Sequence, residues 1–257
     1  MKRIRYILSG AFIIVACQPT LIAEFEDKPV VCCYLDAGAS PILTVSKLIA
    51  FRDDVDYSDE DINTLTITIT DETEEKNYPL QAIGEGRYES LQLIAKVGHS
   101  YKLTFVYNGN HISATTTVPE APQGVEFSAT SIGVMGFSTA IEITWSNDDR
   151  NFYIVEGFTT SSSPVRDTDS TPAKGFKLDY TQGSSATLSQ MQFNYLGNYE
   201  VSLIRIWPEY AVMSQGSFDT STSLVDIKGN IEGGYGIFTG INRVMRNINV
   251  YRQSTPF

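Results

Sequence analysis

The sequence predicts an all-β fold: two antiparallel β-sandwich domains, the first immunoglobulin- or prealbumin-like and the second fibronectin-type-like, behind an N-terminal leader. Three observations carry the prediction. From Val30 onward apolar residues recur with a period of two, which is the spacing of a strand with one buried face. Glycine-bearing turn signals break the pattern every few residues, at Gly38, Gly84, Gly86, Gly98 and Asn108-Gly109. Pro119-Glu120-Ala121-Pro122 then interrupts pairing, because proline cannot donate to a ladder and stiffens a linker, so the chain divides into residues 29–119 and 123–257.

Residues 1–16 have the layout of a lipoprotein signal peptide. Lys2, Arg3 and Arg5 precede an apolar run from Tyr6 to Val15, and the run ends Ile14-Val15-Ala16-Cys17. This ending resembles a lipobox, in which the chain is cleaved after Ala16 and Cys17 carries the lipid. Ten or so apolar residues are too few to span a bilayer, which takes about twenty. Three acyl chains on Cys17 would anchor the protein permanently, where one would hold it only weakly. Residues 17–28 then read as a lipidated tether, with Pro19, Glu24, Glu26 and Asp27 between the lipid and the first strand.

In the first domain the strands are expected at Val30–Leu35, Ile42–Ile49, Thr64–Thr70, Tyr88–Ala95, Tyr101–Tyr107 and His111–Val118. Thr64–Thr70 alternates most clearly, with Leu65, Ile67 and Ile69 on one face and four threonines on the other. Asn108-Gly109 supplies the positive-φ turn of a hairpin joining the last two. Cys32 and Cys33 are adjacent on the first strand and point to opposite faces. Their Cα atoms lie about 3.8 Å apart, below the usual disulfide window, so one is expected inside and the other outward.

The second domain opens with Ile141, Ile143 and Trp145 on one strand face, continues through Phe152–Phe158, and includes a long strand from Tyr199 to Trp207. Trp145 and Tyr199 resemble the core aromatic and the corner tyrosine of fibronectin-type sandwiches. Residues 159–190, rich in Ser, Thr, Gly and Asp, read as an insertion or long loop. Pro208–Met213 is the best helical candidate, and Gly233-Gly234-Tyr235-Gly236 reads as a bend or bulge entering a final strand rather than a phosphate cradle.

The charge balance narrows the function. The chain has 30 acidic and 19 basic residues, three of the latter in the leader, so the remainder carries a net charge of −14. Nucleic acid and anionic lipid both need a basic face, and neither is expected as a partner. Ten acids fall between Asp53 and Glu75 with no Lys or Arg among them. Asp53, Asp54, Asp56 and Asp59 are the candidate calcium ligands there, but the loop lacks the central glycine of a helix-flanked calcium site, and solvated loop charge is the favoured reading. With only His99 and His111, no metal-ligand spacing and no Gly-x-Ser-x-Gly elbow, the hydrolase motifs are missing, so neither catalytic residues nor a cofactor is expected. Tyr180, Trp207 and Tyr210 are the candidates for an exposed aromatic ligand platform.

Several of these segments together resemble one family: Cys17, Val30-Val31, Gly86-Arg87-Tyr88, Gly98-x-x-Tyr101-x-Leu103, Thr117-Val118-Pro119 and Asn230–Phe238, in that order. The chain is similar to Bacteroidota outer-membrane lipoproteins grouped as domain of unknown function four-two-four-nine. The resemblance implies a two-domain β protein, lipid-anchored in the outer membrane and facing the cell surface. It implies an accessory or ligand-binding role beside a TonB-dependent transporter in nutrient uptake. The alternative is a structural or adhesive surface lipoprotein with no transporter partner. A hydrolase with dispersed carboxylates is a third reading, for which no residue pattern asks.

Overall fold

The computed structural model describes residues 27–47, 62–134, 140–161, 165–166, 173–215 and 229–252. Cys17, the leader, most of the tether, and Asp53, Asp54, Asp56 and Asp59 lie outside the described residues. Eight strands form the first half: β1 Pro29–Asp36, β2 Ile42–Lys47, β3 Thr68–Asp71, β4 Lys76–Pro79, β5 Gln81–Gly84, β6 Arg87–Glu89, β7 Ser100–Tyr107 and β8 Asn110–Thr117. The second half holds β9 Gln123–Phe127, β10 Ser131–Val134, β11 Ala140–Ser146, β12 Phe152–Thr159, β13 Val165–Arg166, β14 Gly175–Lys177, β15 Ser185–Ser189, β16 Tyr195–Ile206, helix α1 Pro208–Gln215 and β17 Tyr235–Arg252. The fold is all-β, built as sandwiches.

The strands make one ten-stranded sheet and two small ones, β4-β3-β7-β8 and β15-β11-β9. The large sheet is spliced by β17. Its first seven residues pair in parallel with β1, Val30 opposite Tyr235 through Asp36 opposite Ile241, and its next nine pair antiparallel with β16. The final strand therefore serves both sides of the link at 119–123. Successive side chains on a strand alternate between faces. On β17 the even-numbered Phe238 joins the first core, and Ile248 and Val250 join the second. Both small sheets thus pack on the same face of the large one.

The first core places Val31, Cys33 and Leu35 of β1 against Ile69, Tyr101, Leu103 and Phe105 from the facing sheet. Cys33 is buried and Cys32 exposed, both unbridged, and burial pushes the Cys33 thiol well above its ordinary pKa. The hairpin forms as its sequence predicts, with Asn108 at φ 47° and Gly109 at φ 79° between β7 and β8. In the second core Ile141, Ile143 and Trp145 meet Tyr153, Val155, Val201 and Leu203. The Tyr199 hydroxyl accepts the N–H of Tyr195 at 3.0 Å, pinning the entry of β16 four residues upstream.

Three expectations change on contact with tertiary structure. The strand expected over Tyr88–Ala95 pairs only over Arg87–Glu89. Pairing of the threonine-rich strand begins only at Thr68, although Ile67 and Ile69 are buried as expected. The Leu65 N–H donates to the Tyr88 hydroxyl instead, and that hydroxyl donates to the Ile62 carbonyl, so a side chain from the opposite sheet replaces the ladder. Residues 159–190 are not a plain loop. β14 adds to the edge of β12 and β15 pairs with β11 over five residues, with Phe176 and Leu188 as the apolar anchors.

The glycine-rich entry to β17 is a backbone tie. The Asn230 side-chain amide donates to the Phe238 carbonyl at 2.7 Å while its oxygen accepts the Phe238 N–H at 2.9 Å, which copies a strand partner with one side chain. Gly236, at φ 102°, lets this bent segment run directly beside the Val31 carbonyl. The cluster thus acts as the bend entering a final strand.

Candidate functional site

The centre of the large sheet is covered on both faces, so its strands read as apolar runs instead of alternating. On the face away from the two cores, Ile154, Ile204, Ile206 and Ile241 form a third cluster under Ala211 of α1. The helix starts on Pro208, whose fixed φ and missing N–H suit a first helical position, and Glu209 favours the positive end of the helix dipole. Trp207, just before it, donates its indole N–H to the Thr117 carbonyl at 2.6 Å and fastens the helix to the end of β8. α1 covers only part of this face. Beside it lies a crevice of about 390 Å³, lined by Tyr34 and Asp36 of β1, Ile42 of β2, Glu156 of β12, Tyr210 of α1 and Arg243 of β17, among others.

All the strand-borne groups in the crevice come from one face of one sheet, which fixes their spacing without loops. Arg243 is the hub. Its Nε lies 2.8 Å from Asp36 Oδ2, an ion pair whose N–H is not aligned as a hydrogen bond, and Nη1 donates to Glu156 Oε1 at 3.1 Å. One guanidinium therefore serves two carboxylates, one from each half of the chain. Burial raises the Asp36 pKa, and the neighbouring Arg243 charge and the Ala37 backbone N–H only partly oppose it. The Tyr34 and Tyr210 rings stand 5.2 Å apart at a 47° tilt, and Lys177 Nζ lies 4.8 Å from the Tyr210 ring centre. Burial, with Tyr210 adding to it, pushes the Tyr34 phenol far above its ordinary pKa, so it remains a neutral donor.

Of the three aromatic candidates, the structure brings only Tyr210 to the crevice. Tyr180 packs edge-on to Phe152 at 5.5 Å, and Trp207 is engaged by Thr117. Sequence reasoning missed Tyr34, Asp36, Glu156 and Arg243. One signal was present: Arg243 lies two residues from Ile241 and two from Met245, so a charge sits on an otherwise apolar strand face.

A second concavity, a more open furrow of about 640 Å³, crosses the threonine face where residues 64–66 part from β7. Its charged lining is Lys102, with His111 beside it. The acids of the β3–β4 turn are placed differently again. Asp71 is fully buried; its Oδ1 accepts the N–H groups of Thr73 and Glu74, and His99 Nδ1–H donates to Oδ2 at 2.8 Å. Burial alone would raise the Asp71 pKa, but the His99 and backbone hydrogen bonds outweigh it and hold it below the usual carboxylate range. Asp71, Glu74 and His99 gather closely enough to suggest metal ligands, yet Glu74 is ion-paired with Lys96 and the Asp71 oxygens are engaged in shaping the turn. This cluster is a turn lock.

Among the described residues no helix is long and apolar enough to cross a membrane. No curated protein matches the sequence. Among solved structures, the crystal structure of DIP-gamma IG1+IG2 is similar at 11% identity, covering 89% of this chain and 98% of that one with a TM-score of 0.22. The sequence profile of DUF4249, a domain of unknown function, matches residues 17–247. The match covers most of the chain, and the chain belongs to the DUF4249 family.

Proposed function

We propose that this protein is a lipid-anchored, non-catalytic accessory of the outer membrane, facing the cell surface, that binds a small ligand in cooperation with a TonB-dependent transporter in nutrient uptake. The observation that carries the binding role is the crevice, where two tyrosines and an Asp36–Arg243–Glu156 bridge are held on one rigid face. Its volume falls in the range of small-ligand sites, and it mixes apolar walls with a few convergent polar groups. Nothing in it pairs a nucleophile with a base, which is why binding is preferred to turnover.

The sequence supports the anchor: an apolar leader over residues 1–16 that is too short to span, with Cys17 immediately after it. The net negative charge leaves the lipid to do the anchoring without help from anionic headgroups. Cys17→Ser is therefore expected to move the protein from the outer-membrane fraction to the soluble fraction, with its folded spectrum unchanged. Wild-type protein recovered in the soluble fraction, or a Cys17→Ser protein that stays with the membrane, would overturn the lipid anchor.

A further inference from the structure

We propose that the crevice beside α1 takes an organic cation, an alkylammonium or guanidinium group, seated against the Tyr34 and Tyr210 rings and the outer oxygens of Asp36 and Glu156. This rests on reading the crevice as the ligand site and names the chemical class it selects.

Charge is the first support. The ionic groups lining the crevice are Asp36 and Glu156 against Arg243, so one negative charge is uncompensated within the lining, and Lys177 approaches it only at the Tyr210 ring. Each of the two carboxylates meets Arg243 through a single oxygen, and among the described residues the only further donor to Asp36 is the Ala37 backbone N–H. The raised pKa of Asp36 is what an under-compensated, partly desolvated carboxylate shows, and an added cation would relieve it. A chain with formal net charge −11 also draws cations toward it from solution.

The aromatic walls are the second support. A cation over a tyrosine face is attracted by the ring quadrupole, and burial strengthens the attraction. The protein already uses Tyr210 this way. Lys177 Nζ lies over its ring and donates to its hydroxyl at 3.2 Å. Lys177 therefore acts as an internal competitor for the ligand, and its removal should improve binding, which a purely structural ion bridge would not produce.

The test is calorimetric titration of the intact, detergent-solubilised protein with n-butylammonium and n-butylguanidinium, using 1-butanol and butyrate as neutral and anionic counterparts. The cations should saturate, with the counterparts weaker by about tenfold or more. Glu156→Gln should weaken cation binding several-fold, and Lys177→Met, on an exposed edge strand where folding is not at risk, should tighten it. Butanol or butyrate binding as tightly as the cations would overturn the cation class while leaving the crevice a ligand site. No saturation by either cation in the millimolar range, or no gain in Lys177→Met, would also overturn the class.

Discussion

Gly236→Ala is expected to destabilise the protein severely. Two costs coincide at this residue. Its φ of 102° is a conformation that side chains rarely adopt, and an added Cβ would fall well inside contact distance of the Val31 carbonyl, which is backbone and cannot swing away. Val31 and Gly236 are register partners in the parallel β1–β17 pairing, so relief would require opening the seam that joins the two halves. A loss of about 4 kcal/mol or more is expected, against a total stability of roughly 5–15 kcal/mol for an ordinary domain. Gly38→Ala is the control. It has a similar positive φ of 81° but nothing within reach of a new Cβ, so only the backbone penalty of about 1 kcal/mol remains. Urea unfolding of the two variants separates the terms: a Gly236→Ala protein as stable as Gly38→Ala would show that the seam is not tight.

The second large effect is expected at Arg243→Met. Removing the guanidinium strands the Asp36 and Glu156 carboxylates on a partly covered face. Breaking a buried pair costs about 3–5 kcal/mol, and here the side chains keep roughly a fifth to a quarter of their exposure, so about 2–3 kcal/mol is the discounted figure. The pH dependence gives the sign. Asp36 already has a raised pKa in the folded state, and loss of Arg243 raises it further, so ionisation opposes folding. The destabilisation is fully present above the folded pKa and fades as pH falls and the carboxylate takes up its proton. The urea-midpoint deficit relative to wild type should be smaller at pH 5 than at pH 7. Adding Asp36→Asn to Arg243→Met should restore part of the loss at pH 7. A deficit that is equal at both pH values would assign the arginine's role to its packing.

Local patterns foretold local structure. The Asn108-Gly109 hairpin, the buried face of Ile141, Ile143 and Trp145, and the short helix after Trp207 follow from turn chemistry, alternation and an N-terminal proline, all of which act within a few residues. What the sequence could not reveal is which strand sits beside which. A period of two predicts that Tyr235–Arg252 has two faces, but not that its start pairs in parallel with β1 from the other end of the chain. The early end of the threonine-rich strand was equally hidden, because the Tyr88 hydroxyl that captures Leu65 comes from the facing sheet. The brief strands β14 and β15 lie in composition that reads as loop, and each survives by borrowing the edge of a longer neighbour.

The crevice was legible only through Tyr210. Asp36, Glu156 and Arg243 are far apart in sequence and meet because β1, β17, β16 and β12 lie side by side in one sheet. Trp207 and Tyr180 looked like platform residues because large aromatics suit that role, but each packs where it also finds a partner, Thr117 or Phe152. The acidic run divides in the same way. Asp71 builds a turn by accepting the backbone N–H groups of Thr73 and Glu74 on its carboxylate, an arrangement that counting charges cannot anticipate.

The most direct test of the accessory role is affinity purification of the intact lipidated protein from gently solubilised outer membrane, followed by identification of what remains bound at moderate salt. The account predicts a stoichiometric TonB-dependent transporter. Recovery of the protein alone, or with polysaccharide and no transporter, would contradict it and make the adhesive surface protein the better description.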